Sequence, residues 1–353
     1  MIKDKTIVIK NIYYMLTYAF RVLHQTNYEK IEAESFDRID NLFAAIIDGG
    51  LTQLLKQGLY KEYQNRIDDL NVIRGKIDIS GVIKNKIKNK KSVTCDFDEL
   101  TIDNSFNQII KSTLLLLLKP TSDVEEGIKI KLRKKLVYFQ EVGTIADLKT
   151  IRWDALRFHN NNKIYELIIT ICYFVINGFL QTNDKGKQKV MGFTDDNMAK
   201  LFEKFILEYF RKEHPEINTS APKVNWAVSG GDEAVINFLP TMQTDITLSS
   251  KKTGDILIID AKYYSQIAGD NFGSQKYHSS NMYQIFTYVK NMEADTNKKV
   301  SGVLVYAKTE DEVIPTGDSI LAGNSIGVRV LDLSVDFSLI KKQLDSLITD
   351  FSL

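Results

Sequence analysis

Cysteine is scarce in this 353-residue chain: Cys95 and Cys172 are the only two. Two thiols cannot build a disulfide framework or a four-thiolate zinc site, so both are expected to be small buried hydrophobes in a reducing compartment. Charge of one sign is also missing. Forty-six Lys and Arg stand against forty-five Asp and Glu, a formal net charge of +1, which excludes a uniformly basic nucleic-acid coat. Long apolar runs are absent too. The longest, 164–180, is broken by Glu166, Thr170 and Asn177, and Leu114–Leu118 closes at Lys119-Pro120. Neither is expected to span a hydrocarbon core of about 30 Å. The first ten residues are charged and strand-like rather than signal-peptide-like, so the expected location is cytoplasmic. There is no G-x-x-x-x-G-K-[ST] loop and no G-x-G-x-x-G after a strand, and Gly269-Asp270-Asn271-Phe272-Gly273 lacks the spacing and lysine to cradle phosphate. The chain is not expected to hydrolyse nucleotide by itself.

What is present reads as two domains, from a length about twice that of an ordinary domain. Periodicity predicts a short strand at 7–9, an apolar helix opening at Asn11, and a helix over 42–55. Strands are expected at 72–79 and 93–97, flanking a lysine-rich segment, 84–91, that reads as a solvated hairpin. A helix over 104–119 stopped by Pro120, a basic helix over 124–140, and the apolar 164–180 segment follow. Residues 181–189 are polar and turn-rich, either a linker or an inter-helix loop. Beyond them come a helix (195–212), strands (235–238, 242–248, 255–264), a helix (280–292), strands (300–306, 328–333) and a closing helix. This order suggests a mixed α/β sheet domain.

The strongest chemical signal is Thr244-Asp245-Ile246 followed by Asp260-Ala261-Lys262. Asp260 ends the apolar run Ile256-Leu257-Ile258-Ile259, where a carboxylate is costly unless it is paired or binds a metal. Positions i and i+2 share a strand face, so Asp260 and Lys262 project together. A turn at Lys251–Gly254 folds Asp245 alongside. Two carboxylates and a lysine match metal-assisted phosphodiester hydrolysis. Asp245 and Asp260 are the candidate Mg²⁺ ligands, with Lys262 orienting water or stabilising developing charge. The same cluster also reads as a plain buried Asp–Lys ion pair. On the 195–212 helix, Glu203 falls at the edge of the apolar face and can reach inward, whereas Glu208 falls beside Lys204 on the solvent side. Gln284 and Tyr288, four apart on a later helix, can hydrogen-bond a phosphate or position Lys262. His278 reads as a DNA or structural contact. His24, His159 and His214 show no metal-ligand spacing.

Helix-Glu, D…D-x-K hairpin, then Q-x-x-x-Y resembles the PD-(D/E)XK nuclease superfamily in its RecB-like variety. Thr244 stands where that pattern has proline, with Pro240 upstream. The whole chain resembles the McrC family, nuclease subunits of McrBC-type modified-cytosine-dependent restriction systems. The similarity lies in Asn11–Ala19, in Phe97-Asp98-Glu99-Leu100 with Ile109–Leu114, in Thr244-Asp245-Ile246-Thr247 with Asp260-Ala261-Lys262-Tyr263-Tyr264, and in Lys276–Ser279 with Asn281–Gln284. The resemblance implies Asp245, Asp260 and Lys262 as catalytic triad, in an α/β (α+β) architecture. Its endonuclease domain would occupy 156–353, and a docking domain, 1–155, would precede it. It also implies double-stranded DNA as substrate and a McrB-type AAA+ GTPase partner, which binds the GTP. Arg74, Lys76 and the lysines at 84, 86, 88, 90 and 91 are candidate partner or DNA contacts. A stand-alone RecB-like nuclease and a non-catalytic regulator of an AAA+ GTPase are the alternatives.

Overall fold

A computed structural model describes residues 3–4, 7–21, 36, 38–159, 162, 165–184, 195–263, 268–271, 274–308 and 315–353. His24, Tyr264, the Phe272-Gly273 pair and the 185–189 part of the turn-rich segment lie outside the described residues. Among those described, no helix is long and apolar enough to cross a membrane.

The chain forms two compact units, and the division is not the linear 1–155/156–353 split read from sequence. One unit joins Met1–Ile39 to Gly192–Leu353; the other is Asp40–Met191. The N-terminal helix Ile9–Ala19 accounts for the difference. It buries Ile12, Tyr13, Met15, Leu16 and Tyr18, packing on the helix Asp195–Glu213. Tyr14 stacks on Phe337 at 4.2 Å, and Asn11 Nδ2 donates to the carbonyls of Leu333 and Val335. These partners lie more than three hundred residues downstream, where no local pattern can announce them.

The core of this unit is a six-stranded mixed sheet. Its order is Gly317–Leu321, Asn324–Leu331, Val300–Ala307, Ile256–Lys262, Ile246–Ser250, Ile217–Ser220. The central pair Ile256–Lys262 and Val300–Ala307 is parallel, and Val300–Ala307 is buried throughout. A strand covered on both faces needs a continuous apolar run, which is what both sequences supply. Ile256 and Ile258 cluster with Ile285, Tyr288 and Val289 of the helix Ser279–Thr296. The helix Asp195–Glu213 also packs on the central strand. Gly302 permits the close approach of the Ser279–Thr296 helix, because a Cβ there would lie 2.8 Å from both Ile285 and Val289.

Several expectations change here. Residues 235–237 belong to a short helix, Glu233–Asn237, with Phe238 as its C-cap and Asp232 Oδ1 accepting from the Ala234 amide at its start. The expected strand over 242–248 splits into Met242–Gln243 and Ile246–Ser250. Glu208 is not on the solvent side. It is buried, and its carboxylate, held below the usual range, accepts from Arg21 and Arg211 against its own desolvation. The arginine that covers it follows the N-terminal helix, so the helical wheel of one segment could not show it.

In the other unit, strands Glu62–Leu70, Val93–Thr101 and Lys76–Ile77 form an antiparallel sheet, with Val93–Thr101 central. The lysine-rich segment 84–91 is not a hairpin: 84–87 end the helix Ile79–Ile87, capped by Asp78 accepting from the Ser80 and Gly81 amides, and 88–91 follow its C-terminus. Asp78, one residue ahead of the helix and three before Gly81, is an N-cap signal that outweighs the alternation seen around it. Helices Ile39–Gln57, Ser105–Leu117, Glu126–Leu136 and Tyr165–Asp184 complete the unit. The last runs through Gln181–Asp184, where a linker or inter-helix loop is expected from the sequence.

Candidate active site

The site is built on the end of one hairpin. Ile259 pairs with Ile246 at the last rung of the antiparallel ladder, which sets Asp260 and Asp245 opposite each other just beyond it. The turn that makes this register runs through Gly254, whose φ of +80° favours glycine. Directly opposed antiparallel residues project to the same face. Instead of continuing the ladder, Asp245 Oδ2 accepts from the Ala261 amide at 2.9 Å. One carboxylate thus fixes the backbone beside the other.

Asp260 is fully buried, and neither of its carboxylate oxygens has an aligned hydrogen-bond donor. Its charge partner is Lys262, whose Nζ lies 2.8 Å from Oδ2. The alternation that points Ile256 and Ile258 at the Ser279–Thr296 helix carries Asp260 and Lys262 to that face. There Lys262 Nζ donates to Gln284 Oε1 at 3.2 Å, and Gln284 Nε2 donates to the Tyr288 hydroxyl at 2.9 Å. The structure thus brings the Gln284–Tyr288 pair into hydrogen-bond contact with Lys262.

Glu203 joins the cluster electrostatically. Burial, then the charge of Asp245, pushes its carboxyl up to about 7, against the opposing pull of Lys262 and Lys200. Burial likewise raises Asp245 and Asp260 above the ordinary carboxylate range, with Lys262 pulling both back. Three carboxyl groups facing one ammonium resist full ionisation, and a divalent cation would relieve them. Among the described residues no group of three or more His, Cys, Asp or Glu is placed to hold a metal ion by itself. A pair of carboxylates completed by water is nevertheless how Mg²⁺ is commonly held. Asp245 and Asp260 fit that requirement, and the buried Asp260 oxygens, with Lys262 beside them but no aligned donor, are the observation that favours it.

Two residues escaped the sequence pattern. Tyr306 is the register partner of Lys262 on the neighbouring parallel strand, and its hydroxyl accepts from Asn281 Nδ2 at 3.0 Å. Asn281 stands three residues before Gln284 on the same helix face, a spacing that could have been noticed. His278 sits at the start of that helix as its N-cap residue, with no side-chain capping bond.

Comparison with known proteins sharpens the identity of this chain. Its sequence is 28% identical over 344 residues to the type IV methyl-directed restriction enzyme EcoKMcrBC of Escherichia coli (strain K12), covering 97% of each. Its fold matches a chain in a refined half-complex from the tetradecameric assembly of Thermococcus gammatolerans McrB AAA+ hexamers with bound McrC. That match has a TM-score of 0.50 at 16% identity, covering 97% of this chain and 76% of the other. The Thermococcus gammatolerans McrBC complex matches more weakly, with a TM-score of 0.43 at 18% identity and 58% coverage of both chains. The model of the family described as McrBC 5-methylcytosine restriction system component matches residues 3–307, and the chain belongs to that family.

Proposed function

We propose that this chain is the DNA-cleaving subunit of a 5-methylcytosine-dependent (type IV) restriction complex, an Mg²⁺-dependent endodeoxyribonuclease with a PD-(D/E)XK-type site. The observation that carries the reading is the fully buried Asp260, without an aligned donor, facing Asp245 across the hairpin end with Lys262 against it. Asp245 and Asp260 would hold the cation. When bound, Mg²⁺ supplies neutralisation of the phosphodiester charge and a water of lowered pKa.

The protein's own groups do the rest. Asp245, tied to the Ala261 amide, keeps its carboxylate orientation fixed before DNA arrives. Lys262 carries the positive charge of the site and is held between Asp260 and Gln284, so it is aimed rather than free to sample solvent. From there it stabilises charge developing on a phosphate and keeps the attacking water hydrogen-bonded. Tyr288 anchors Gln284. Glu203, with a carboxyl that titrates near neutrality, is a supporting group able to accept a proton at the edge of the cluster.

The same reading gives the chain an McrB-type AAA+ GTPase as partner, bound to GTP, with this chain stimulating hydrolysis. Family membership and the fold shared with a chain of the archaeal McrB–McrC half-complex support it. So does the absence of a phosphate-cradling glycine loop in this sequence.

Lys262→Ala should reduce cleavage of methylated duplex DNA by about 10²-fold or more, the usual scale for losing one electrostatic stabiliser. Stimulation of the partner's GTP hydrolysis should stay at the wild-type level. Parallel nicking and GTPase assays check both. Undiminished cleavage by Lys262→Ala would remove the lysine from the chemistry.

A further inference from the structure

Asn281 and Tyr306 are polar groups set where an apolar pair would pack. Tyr306 is 0% exposed and Asn281 3%, and Tyr306 belongs to the buried cluster that includes Ile285, Leu304 and Val328. Each is costly there unless mated, and they mate with each other: Asn281 Nδ2 donates to the Tyr306 hydroxyl at 3.0 Å. Such a bond adds little net stability, since two apolar side chains of similar shape would do about as well. What it adds is one fixed distance, which non-directional apolar contact does not set.

Its place in the fold says which distance is fixed. The parallel register puts Tyr306 beside Lys262, and register partners on neighbouring strands share a face. Both stand at the carboxyl ends of their strands, the end at which open α/β sheets bind ligands. Farther back on the same strand, a Cβ at Gly302 would meet Ile285 and Val289. The helix Ser279–Thr296 therefore runs antiparallel to the strand, and its first turn arrives at Tyr306. Asn281 is in that turn, with Gln284 and Tyr288 three and seven residues on, along one helix face. The Asn281–Tyr306 bond thus pins the helix one turn before the residue that receives Lys262 Nζ. The Lys262–Gln284 bond is 3.2 Å long. That is already the long end of the ordinary range, so a slide of about half an ångström along the strand loses it.

We propose that Asn281 and Tyr306 are positioning residues: their bond sets the height of the helix Ser279–Thr296 on the strand beside Lys262, and through Gln284 it aims the lysine ammonium at the phosphate. The proposal rests on the nuclease reading made above and adds to it two residues that act through another.

The experiment measures cleavage of a 5-methylcytosine duplex by the full chain with its McrB-type GTPase, GTP and Mg²⁺, across DNA concentrations, beside the unfolding midpoint of each variant. Tyr306→Phe removes only the hydroxyl and leaves the Asn281 amide without that acceptor. It should lower the maximal cleavage rate about tenfold or more with the half-saturating DNA concentration unchanged, since a misplacement of about 1 Å costs up to about 10²-fold. Asn281→Leu combined with Tyr306→Phe makes both partners apolar. Its midpoint should return to about the wild-type value, while cleavage stays about tenfold down. In a Gln284→Ala background, Tyr306→Phe should cost less than about twofold further, because effects exerted through one group do not add. Cleavage that recovers together with the midpoint in the apolar double variant would make the pair purely structural and overturn the proposal. A full tenfold loss on top of Gln284→Ala would overturn it too, by showing that the pair does not act through that residue. A wild-type chain that cuts no DNA, or a Lys262→Ala chain that cuts undiminished, would instead overturn the nuclease reading itself, and the role of the pair with it.

Discussion

Asp260→Asn should abolish DNA cleavage without lowering the unfolding midpoint. The substitution keeps the side-chain shape and removes the charge. A cation held by two carboxylates supplies several kcal/mol of charge stabilisation, and each roughly 1.4 kcal/mol is a factor of ten in rate, so the loss should reach about 10²–10³-fold or more. Stability should move the other way or not at all. In the metal-free protein Asp260 is a buried carboxylate without an aligned donor, its ionised form disfavoured by desolvation. Burying such a charge is expensive, and a neutral amide of the same size removes the expense. Lys262 keeps Gln284 as its acceptor after the change. An inactive protein that melts at or above the wild-type temperature, measured by calorimetry without divalent cation, would separate a functional carboxylate from a structural ion pair. A midpoint several degrees lower would mean that the Asp260–Lys262 pair holds the sheet together.

Gly302→Val should damage both fold and chemistry. Gly302 lies on the fully buried Val300–Ala307 strand, and even one Cβ would sit 2.8 Å from Ile285 and Val289 and 3.1 Å from Ile326. The obstructing atoms belong to buried, branched side chains in a packed core, so they cannot swing away cheaply. Overpacking of this kind costs about 1–3 kcal/mol, and the branched side chain adds to it. The helix pushed away is the one that carries Gln284 and Tyr288. Its displacement should loosen the Lys262–Gln284 bond, so cleavage should fall more than stability alone explains. Comparing cleavage at a temperature where the variant is fully folded with its denaturant midpoint tests the two effects separately. Gly302→Ala should fall between it and wild type.

The site hairpin was legible because everything that makes it is local. Eighteen residues, 245–262, contain both aspartates, the lysine, the apolar run and the turn, and strand alternation does the rest. The Gln284–Tyr288 pair was equally visible as an i, i+4 spacing. What escaped depended on distant contacts. Glu208 reads as solvent-facing on its own helix and is buried because Arg21, from the other end of the chain, covers it. The N-terminal segment reads as part of the first half, yet its buried face is completed by Phe205, Tyr209 and Phe337. The strands Glu62–Leu70 and Gly317–Leu321 were missed because they are polar and largely exposed, carrying no apolar alternation to detect. The lysine-rich helix Ile79–Ile87 misled for the opposite reason. Its apolar residues do recur at helical spacing, but lysines between them mimic strand alternation, and Ile79, Ile83 and Ile87 are exposed rather than packed in a core.

The most direct test of the central claim is cleavage of a duplex carrying 5-methylcytosine by this chain with its GTPase partner and GTP, as Mg²⁺ is removed by chelation and restored. Cutting should stop with EDTA, return on adding Mg²⁺ in excess, and fail to return in Asp245→Asn at any Mg²⁺ concentration. Cutting that persists in EDTA, or that Asp245→Asn carries out at the wild-type rate, would contradict it.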